Sequence, residues 1–157
     1  MPQDAVPNIV LDSDFIELKV AVIAALWNKD LTDSLVVNAV NTLQQHKVEH
    51  RVIRVAGSFE LIWAANQAIK QGFSAVAIFG VIIRGETPHF DYVSSAVTQG
   101  ATRLSFGDAI VGFGVLTCDT YEQALARCGT AGAKENKGKD TIEAILLSHQ
   151  AFKEMPK

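Results

Sequence analysis

The chain has 157 residues, 48% of them hydrophobic, with 14 Lys and Arg against 17 Asp and Glu for a net charge of -3. That suits one domain with a sizeable core, and no basic block marks a nucleic-acid footprint. No apolar run reaches the length of a bilayer span, and residues 1–14 lack the basic-then-apolar order of a leader, so the expectation is a soluble, cytoplasmic protein without membrane or nucleic-acid partners. The mean hydropathy of +0.17 is high for so short a chain and points to apolar surface covered by other subunits. Cys118 and Cys128 have neither CxxC spacing nor metal-ligand company; they read as reduced packing residues, and no metal or other cofactor is expected.

Residues 1–14 place Pro2 and Pro7 around the apolar group Ile9-Val10-Leu11, a tail or an edge strand. Residues 18–26 are nearly all apolar, as a central parallel strand requires, and end in Trp27-Asn28. A helix follows over 30–46, with Asp30, Thr32 or Asp33 as cap and Leu35, Val36, Ala39, Val40 and Leu43 on one face. The second unit is a strand at 51–55, a turn at Ala56-Gly57-Ser58, and a helix over 59–70 that Gly72 ends.

The third unit carries the chemistry. A buried strand over 75–83 breaks at Gly85, and Thr87 and Pro88 suit the cap and first position of a helix running to 104. His89 then falls in the first turn, where free backbone N–H groups and the positive dipole end receive an anion beside an imidazole. The fourth strand spans 109–117, and Gly112 and Gly114 within it imply a close approach to the backbone. Thr120-Tyr121-Glu122-Gln123 matches a capping box opening a short helix through Arg127. A polar loop at 130–135 leads to a last helix from Asn136 or Lys137, with Ile142, Ile145, Leu146, His149 and Phe152 at helical spacing.

Alternating strands and helices predict a parallel sheet covered on both faces, a three-layer αβα sandwich within a single domain over 1–157. Ligands bind beyond the carboxyl ends of such strands, which brings Trp27, Gly57-Ser58, residues 82–87 and Leu116 to one edge. His46, His50 and His149 fall on predicted helix or loop surfaces without metal-ligand spacing. A dinucleotide fingerprint beginning at Gly112-Phe113-Gly114 lacks its third glycine.

Arg84-Gly85-x-Thr87-x-His89-Phe90-Asp91, following Gly80-Val81-Ile82-Ile83, resembles the signature of the lumazine synthases of riboflavin biosynthesis. The resemblance extends in order through Ala25-Leu26-Trp27-Asn28, Gly57-Ser58-Phe59-Glu60, Phe113-Gly114-Val115-Leu116-Thr117 and Glu122 to Arg127. It implies a flavodoxin-like fold and condensation of 5-amino-6-ribitylaminouracil with 3,4-dihydroxy-2-butanone 4-phosphate to 6,7-dimethyl-8-ribityllumazine. It also implies roles: Trp27, Asn28, Gly57, Ser58, Glu60, Ile82, Ile83, Phe113 and Lys137 for the pyrimidine and ribityl chain; Gly85, Glu86, Thr87 and Arg127 for the phosphate; His89 as the catalytic proton carrier.

Phe113, Arg127 and Lys137 resemble residues that the family draws from the adjacent subunit, and residues 1–16 resemble an extension that adds a strand to a neighbour's sheet. Three departures stand out: Ala56 where the family often has Pro, Trp27 for the commoner Phe, and a longer loop over 129–138. The loop makes Lys134 a rival to Lys137 and favours a pentamer over a decamer or sixty-subunit shell, with riboflavin synthase as an optional partner. The competing readings are a non-catalytic, self-assembling flavin-binding protein and a related riboflavin synthase.

Overall fold

A computed structural model describes residues 8–153 and 155. Its elements follow the chain as β1 (Lys19–Ala25), α1 (Lys29–Gln45), β2 (Glu49–Val55), α2 (Glu60–Lys70), β3 (Ala75–Ile83), α3 (His89–Leu104), β4 (Ile110–Cys118), α4 (Tyr121–Leu125) and α5 (Lys137–Lys153). The strands form one parallel sheet in the order β2-β1-β3-β4. The four-stranded, three-layer flavodoxin-like architecture is therefore as the sequence predicts.

The period of two along a strand sorts the core into two faces. Val20, Val22, Ala24, Ala77 and Phe79 pack with Leu35, Leu43, Ile142 and Leu146 of α1 and α5. Ala21, Ile23, Val76 and Ile78 pack with Leu61 and Ala65 of α2 and Val97 and Ala101 of α3. Because β1 and β3 are central, both faces of each are buried, which is why β1 is apolar from Val20 onward and β3 is apolar or glycine throughout. The close approach expected at β4 is real: a side chain on Gly112 would lie 2.6 Å from Ile145 Cδ1, and one on Gly114 would lie 2.4 Å from the Phe79 ring. The approaching groups belong to the core of the α1/α5 layer. Both glycines sit inside a strand and not in a strand-to-helix turn, so they cannot form a dinucleotide fingerprint.

Several local expectations are corrected. The residue capping α1 is Asn28, in the left-handed region at φ 55°, and none of Asp30, Thr32 or Asp33 performs that task. The Thr32 hydroxyl instead donates to the Ala25 carbonyl at 2.9 Å, while Asp33 pairs with Lys29 and Arg54 and Asp30 accepts from Tyr121. The Thr120 hydroxyl does accept from Gln123 N at 3.2 Å, but in the return bond Gln123 Oε1 accepts from Asp119 N, one residue early. The short helix α4 ends at Leu125, before Arg127.

At the start of α5, Asn136 Oδ1 accepts from Lys139 N at 3.0 Å and so supplies its cap. At the other end Phe152 is 76% exposed and lies off the buried stripe. Gly72, with φ +92°, ends α2 as predicted.

Residues 8–14 form no strand within this chain. The Asp12 and Ser13 N–H groups donate to Gln150 Oε1 at 3.2 and 3.3 Å, and Phe15 is buried against His46 and His149 at ring distances of 5.7 and 6.0 Å. Those two histidines are therefore packing partners of an aromatic ring and not simple surface groups. Residues 1–7, on which part of the strand-addition expectation falls, lie outside the described residues. Among the described residues no helix is long and apolar enough to cross a membrane.

Candidate functional site

The carboxyl ends of β1, β2 and β3 open on a cavity of about 880 Å³. Trp27 and Asn28 enter from the end of β1, Gly57, Ser58 and Glu60 from the turn into α2, Ile82 and Ile83 from β3, and Gly85, Thr87 and His89 from the turn into α3. Ten of the predicted site residues are thus neighbours, although 62 positions separate Trp27 from His89 in sequence. Leu116, expected at the same edge, is instead buried in the α1/α5 layer.

Each wall has a local cause. Asn28 turns the chain out of β1, and its Nδ2 donates to the Val81 carbonyl at 2.8 Å, tying the β1 end to β3. Trp27 can then project outward, 73% exposed, with Cε3 4.0 Å from where a Gly57 side chain would begin. Glu60 Oε2 accepts from Gly57 N at 2.9 Å, which holds the carboxylate at the first turn of α2 and closes the 57–60 turn. Ser58 is buried there because Gly80 of β3 leaves room: a side chain on Gly80 would come within 2.4 Å of Ser58 Oγ. Opposite, α3 starts at His89 with Pro88, at φ -62°, in the capping position expected of Thr87 and without a side-chain cap bond; Thr87 Oγ1, one residue earlier, accepts from His89 N at 3.4 Å. His89 is exposed at the mouth of the cavity.

Four predicted residues are not part of this cavity's lining: Glu86, Phe113, Arg127 and Lys137. Phe113 stands on the edge strand β4, 44% exposed. Arg127 and Lys137 converge instead on Glu135, whose oxygens lie 3.6 Å from Arg127 Nε and 2.7 Å from Lys137 Nζ. The Lys137 ammonium holds the Glu135 carboxyl below the usual carboxylate range, and the hydrogen bond to Glu135 pushes the lysine up. Lys137 also reaches Asp140 at 3.4 Å.

Sequence reasoning passed over Phe59, Phe90, Tyr92, Val93 and Ala96, all of which line the cavity. His89, Tyr92, Val93 and Ala96 follow the i, i+3, i+4, i+7 stripe of α3, a signal that was available. It was hidden because Tyr92 is exposed and the stripe faces a cavity instead of a core.

An indole face, a fixed carboxylate, a buried hydroxyl and a helix start carrying an imidazole suit a polar, anionic small molecule with a planar part. Fold and site together define an α/β protein that handles such a ligand at the carboxyl edge of its sheet. Within that class the chain belongs to the 6,7-dimethyl-8-ribityllumazine synthase family, whose model matches residues 17–153. Proteins named 6,7-dimethyl-8-ribityllumazine synthase are similar over most of its length. One from Nocardioides sp. is 46% identical over 144 residues, covering 90% of this chain and 89% of that protein. One from Streptomyces avermitilis is 48% identical over 134 residues, covering 84% and 83%. A third, from Kineococcus radiotolerans, is 43% identical over 148 residues, covering 93% and 91%.

Proposed function

We propose that this chain condenses 5-amino-6-ribitylaminouracil with 3,4-dihydroxy-2-butanone 4-phosphate to 6,7-dimethyl-8-ribityllumazine, with loss of phosphate and water. The observation that carries the reading is the meeting of Trp27, Glu60 and His89 around one cavity, in a chain that belongs to the family. The planar pyrimidine stacks on Trp27, and the ribityl hydroxyls meet the Ser58 to Glu60 backbone and the Glu60 carboxylate. The ketone phosphate sits at the Gly85-Glu86-Thr87 turn, beside the positive end of the α3 dipole, which favours an anion. Imine formation, phosphate elimination and ring closure all move protons, and His89 at the mouth of the cavity is the group to carry them, a contribution typically about 10²- to 10⁴-fold in rate.

Phe113, Arg127 and Lys137 then act in the cavity of an adjacent copy. Their place outside this chain's own cavity, and the exposure of Phe113 on an edge strand, support that division. So do Trp27, Phe59, Trp63 and Tyr92, large rings left exposed on one chain. The working unit is a cytoplasmic homo-oligomer, a pentamer in preference to a decamer or sixty-subunit shell, each chain one domain over 1–157 with 1–16 as an extension toward a neighbour. Riboflavin synthase is a candidate partner because it would consume the product. Among the two lysines, Lys137 is the better choice, since its ion pair to Glu135 places it beside Arg127.

The test is direct. Purified protein mixed with both substrates should raise lumazine absorbance and fluorescence far above the uncatalysed rate, and a His89→Ala variant should lose most of that excess. Binding of lumazine without acceleration would overturn the enzymatic reading.

A further inference from the structure

Arg84 lies between the end of β3 and the turn that carries Gly85, Thr87 and His89. Its backbone N–H donates to the Cys118 carbonyl at 2.9 Å, continuing the β3–β4 ladder one step past Ile83. Its side chain links three places at once. Nε donates to Asp119 Oδ1 at 2.8 Å, just beyond β4; Nη1 lies 3.3 and 3.4 Å from the two carboxylate oxygens of Asp91, in the first turn of α3; and Cζ stands 4.2 Å from the Phe90 ring centre.

As surface ion pairs these contacts contribute little to stability. Their location gives them another use. Asp91 places a negative charge in the first turn of α3, next to the 85–88 turn and against the positive end of the helix dipole, and an uncompensated carboxylate there opposes phosphate. The turn itself is not wedged in place, since a side chain on Gly85 would meet nothing within 4 Å. Its orientation is held from its two ends: on one side the Thr87 hydroxyl accepts from His89 N, and on the other Arg84 bonds Asp119 and Asp91.

We propose that Arg84 is a positioning and charge-compensating residue for the anion subsite, strapping the end of β4 to the first turn of α3 and cancelling Asp91 so that the 85–88 turn accepts the substrate phosphate. Phe90 supports the guanidinium from one face and fixes its direction. Lysine can replace the charge but not the fork that reaches both carboxylates. The inference rests on reading that turn as the phosphate site.

The experiment compares the assembled wild-type protein with Arg84→Gln, Arg84→Lys and the double variant Arg84→Gln/Asp91→Asn. Steady-state KM is measured for each substrate separately, and inorganic phosphate binding is measured by calorimetry. Arg84→Gln should raise KM for the butanone phosphate and weaken inorganic phosphate by about fivefold to tenfold, with KM for the aminouracil within about twofold. Arg84→Lys should recover part of the loss. Adding Asp91→Asn, which returns the cluster to its wild-type net charge, should recover most of it. Equal rises in both KM values, with no recovery from Asp91→Asn, would mark a merely structural residue and overturn the proposal; so would unchanged constants. Should the wild type fail to accelerate lumazine formation, the functional reading falls by itself. The phosphate titrations still decide the role of Arg84: weakened binding restored by Asp91→Asn supports it, and equal binding by all four proteins overturns it.

Discussion

Gly80→Ala joins the packing of the sheet to the shape of the site. A methyl group at position 80 would meet Ser58 Oγ at 2.4 Å, Leu61 Cδ1 at 3.0 Å and Ser58 Cβ at 3.2 Å. The hydroxyl can rotate away, but Ser58 Cβ and the fully buried Leu61 clear the methyl only if the start of α2 moves. Overpacking of this kind costs about 1–3 kcal/mol, while the reduced freedom of the unfolded chain offsets about 0.4–1 kcal/mol. A net loss of about 1–2 kcal/mol lowers the thermal midpoint by roughly 2–8 °C for a domain of this size, compared at fixed protomer concentration. Because Ser58 lines the cavity, KM for the aminouracil should rise more than KM for the butanone phosphate. Gly107→Ala is the control, since its nearest neighbour would be the Leu104 carbonyl at 3.4 Å, and its effect should stay within about 0.5 kcal/mol. The reasoning fails if Gly80→Ala matches Gly107→Ala in urea and thermal unfolding and leaves both KM values unchanged.

Asn28→Ala removes the bond to the Val81 carbonyl and leaves at φ 55° a residue without asparagine's tolerance of the left-handed region, which together should cost about 2–3 kcal/mol in urea unfolding. Asn28→Gly relieves the backbone part, so an alanine variant no weaker than the glycine one would contradict this. Trp27→Ala should leave stability nearly unchanged, given its exposure, while raising KM for the aminouracil by several-fold for a stacking loss of about 1 kcal/mol; an unaltered KM would remove Trp27 from the pyrimidine site. Glu135, held low first by the Lys137 hydrogen bond, has a folded-state pKa below its ordinary value of 4.5. Its contribution is therefore fully present above that value and is lost as pH falls through the folded pKa. Unfolding midpoints measured from pH 6 down to about 3 should fall less steeply in Glu135→Gln than in wild type; parallel curves would show that the pair contributes nothing.

The parts of the fold that were legible are those where burial alone dictates residue type. β3 matches its predicted span of 75–83 because both faces are covered and every position is apolar or glycine. The start of α1 was not legible, because Asp30, Thr32 and Asp33 are all good cap residues and tertiary partners claim each of them. Nor was the tail: the seat of residues 10–15 depends on Gln150 and Phe15, contacts of long sequence separation that no local pattern carries.

In the site, topology was enough to bring the ends of β1, β2 and β3 together, and with them Trp27, Ser58 and His89. Leu116 went astray because adjacent residues of a strand face opposite layers: Val115 packs with α2 and α3, and Leu116 with α1 and α5. Phe113, Arg127 and Lys137 could be tied to the site only through the family resemblance, since nothing in their own chain's geometry draws them toward it.

The claim that each working site is shared by two chains is tested most directly by complementation. His89→Ala and Arg127→Ala chains, carrying different tags and produced together, are purified through both tags and assayed for lumazine formation beside each variant alone. If His89 serves a site whose Arg127 comes from the next subunit, random mixing rebuilds about a quarter of the sites with both residues intact, and activity returns toward that fraction of wild type. Mixed oligomers no more active than the average of the two single variants would contradict the shared site and place His89 and Arg127 in the service of the same chain.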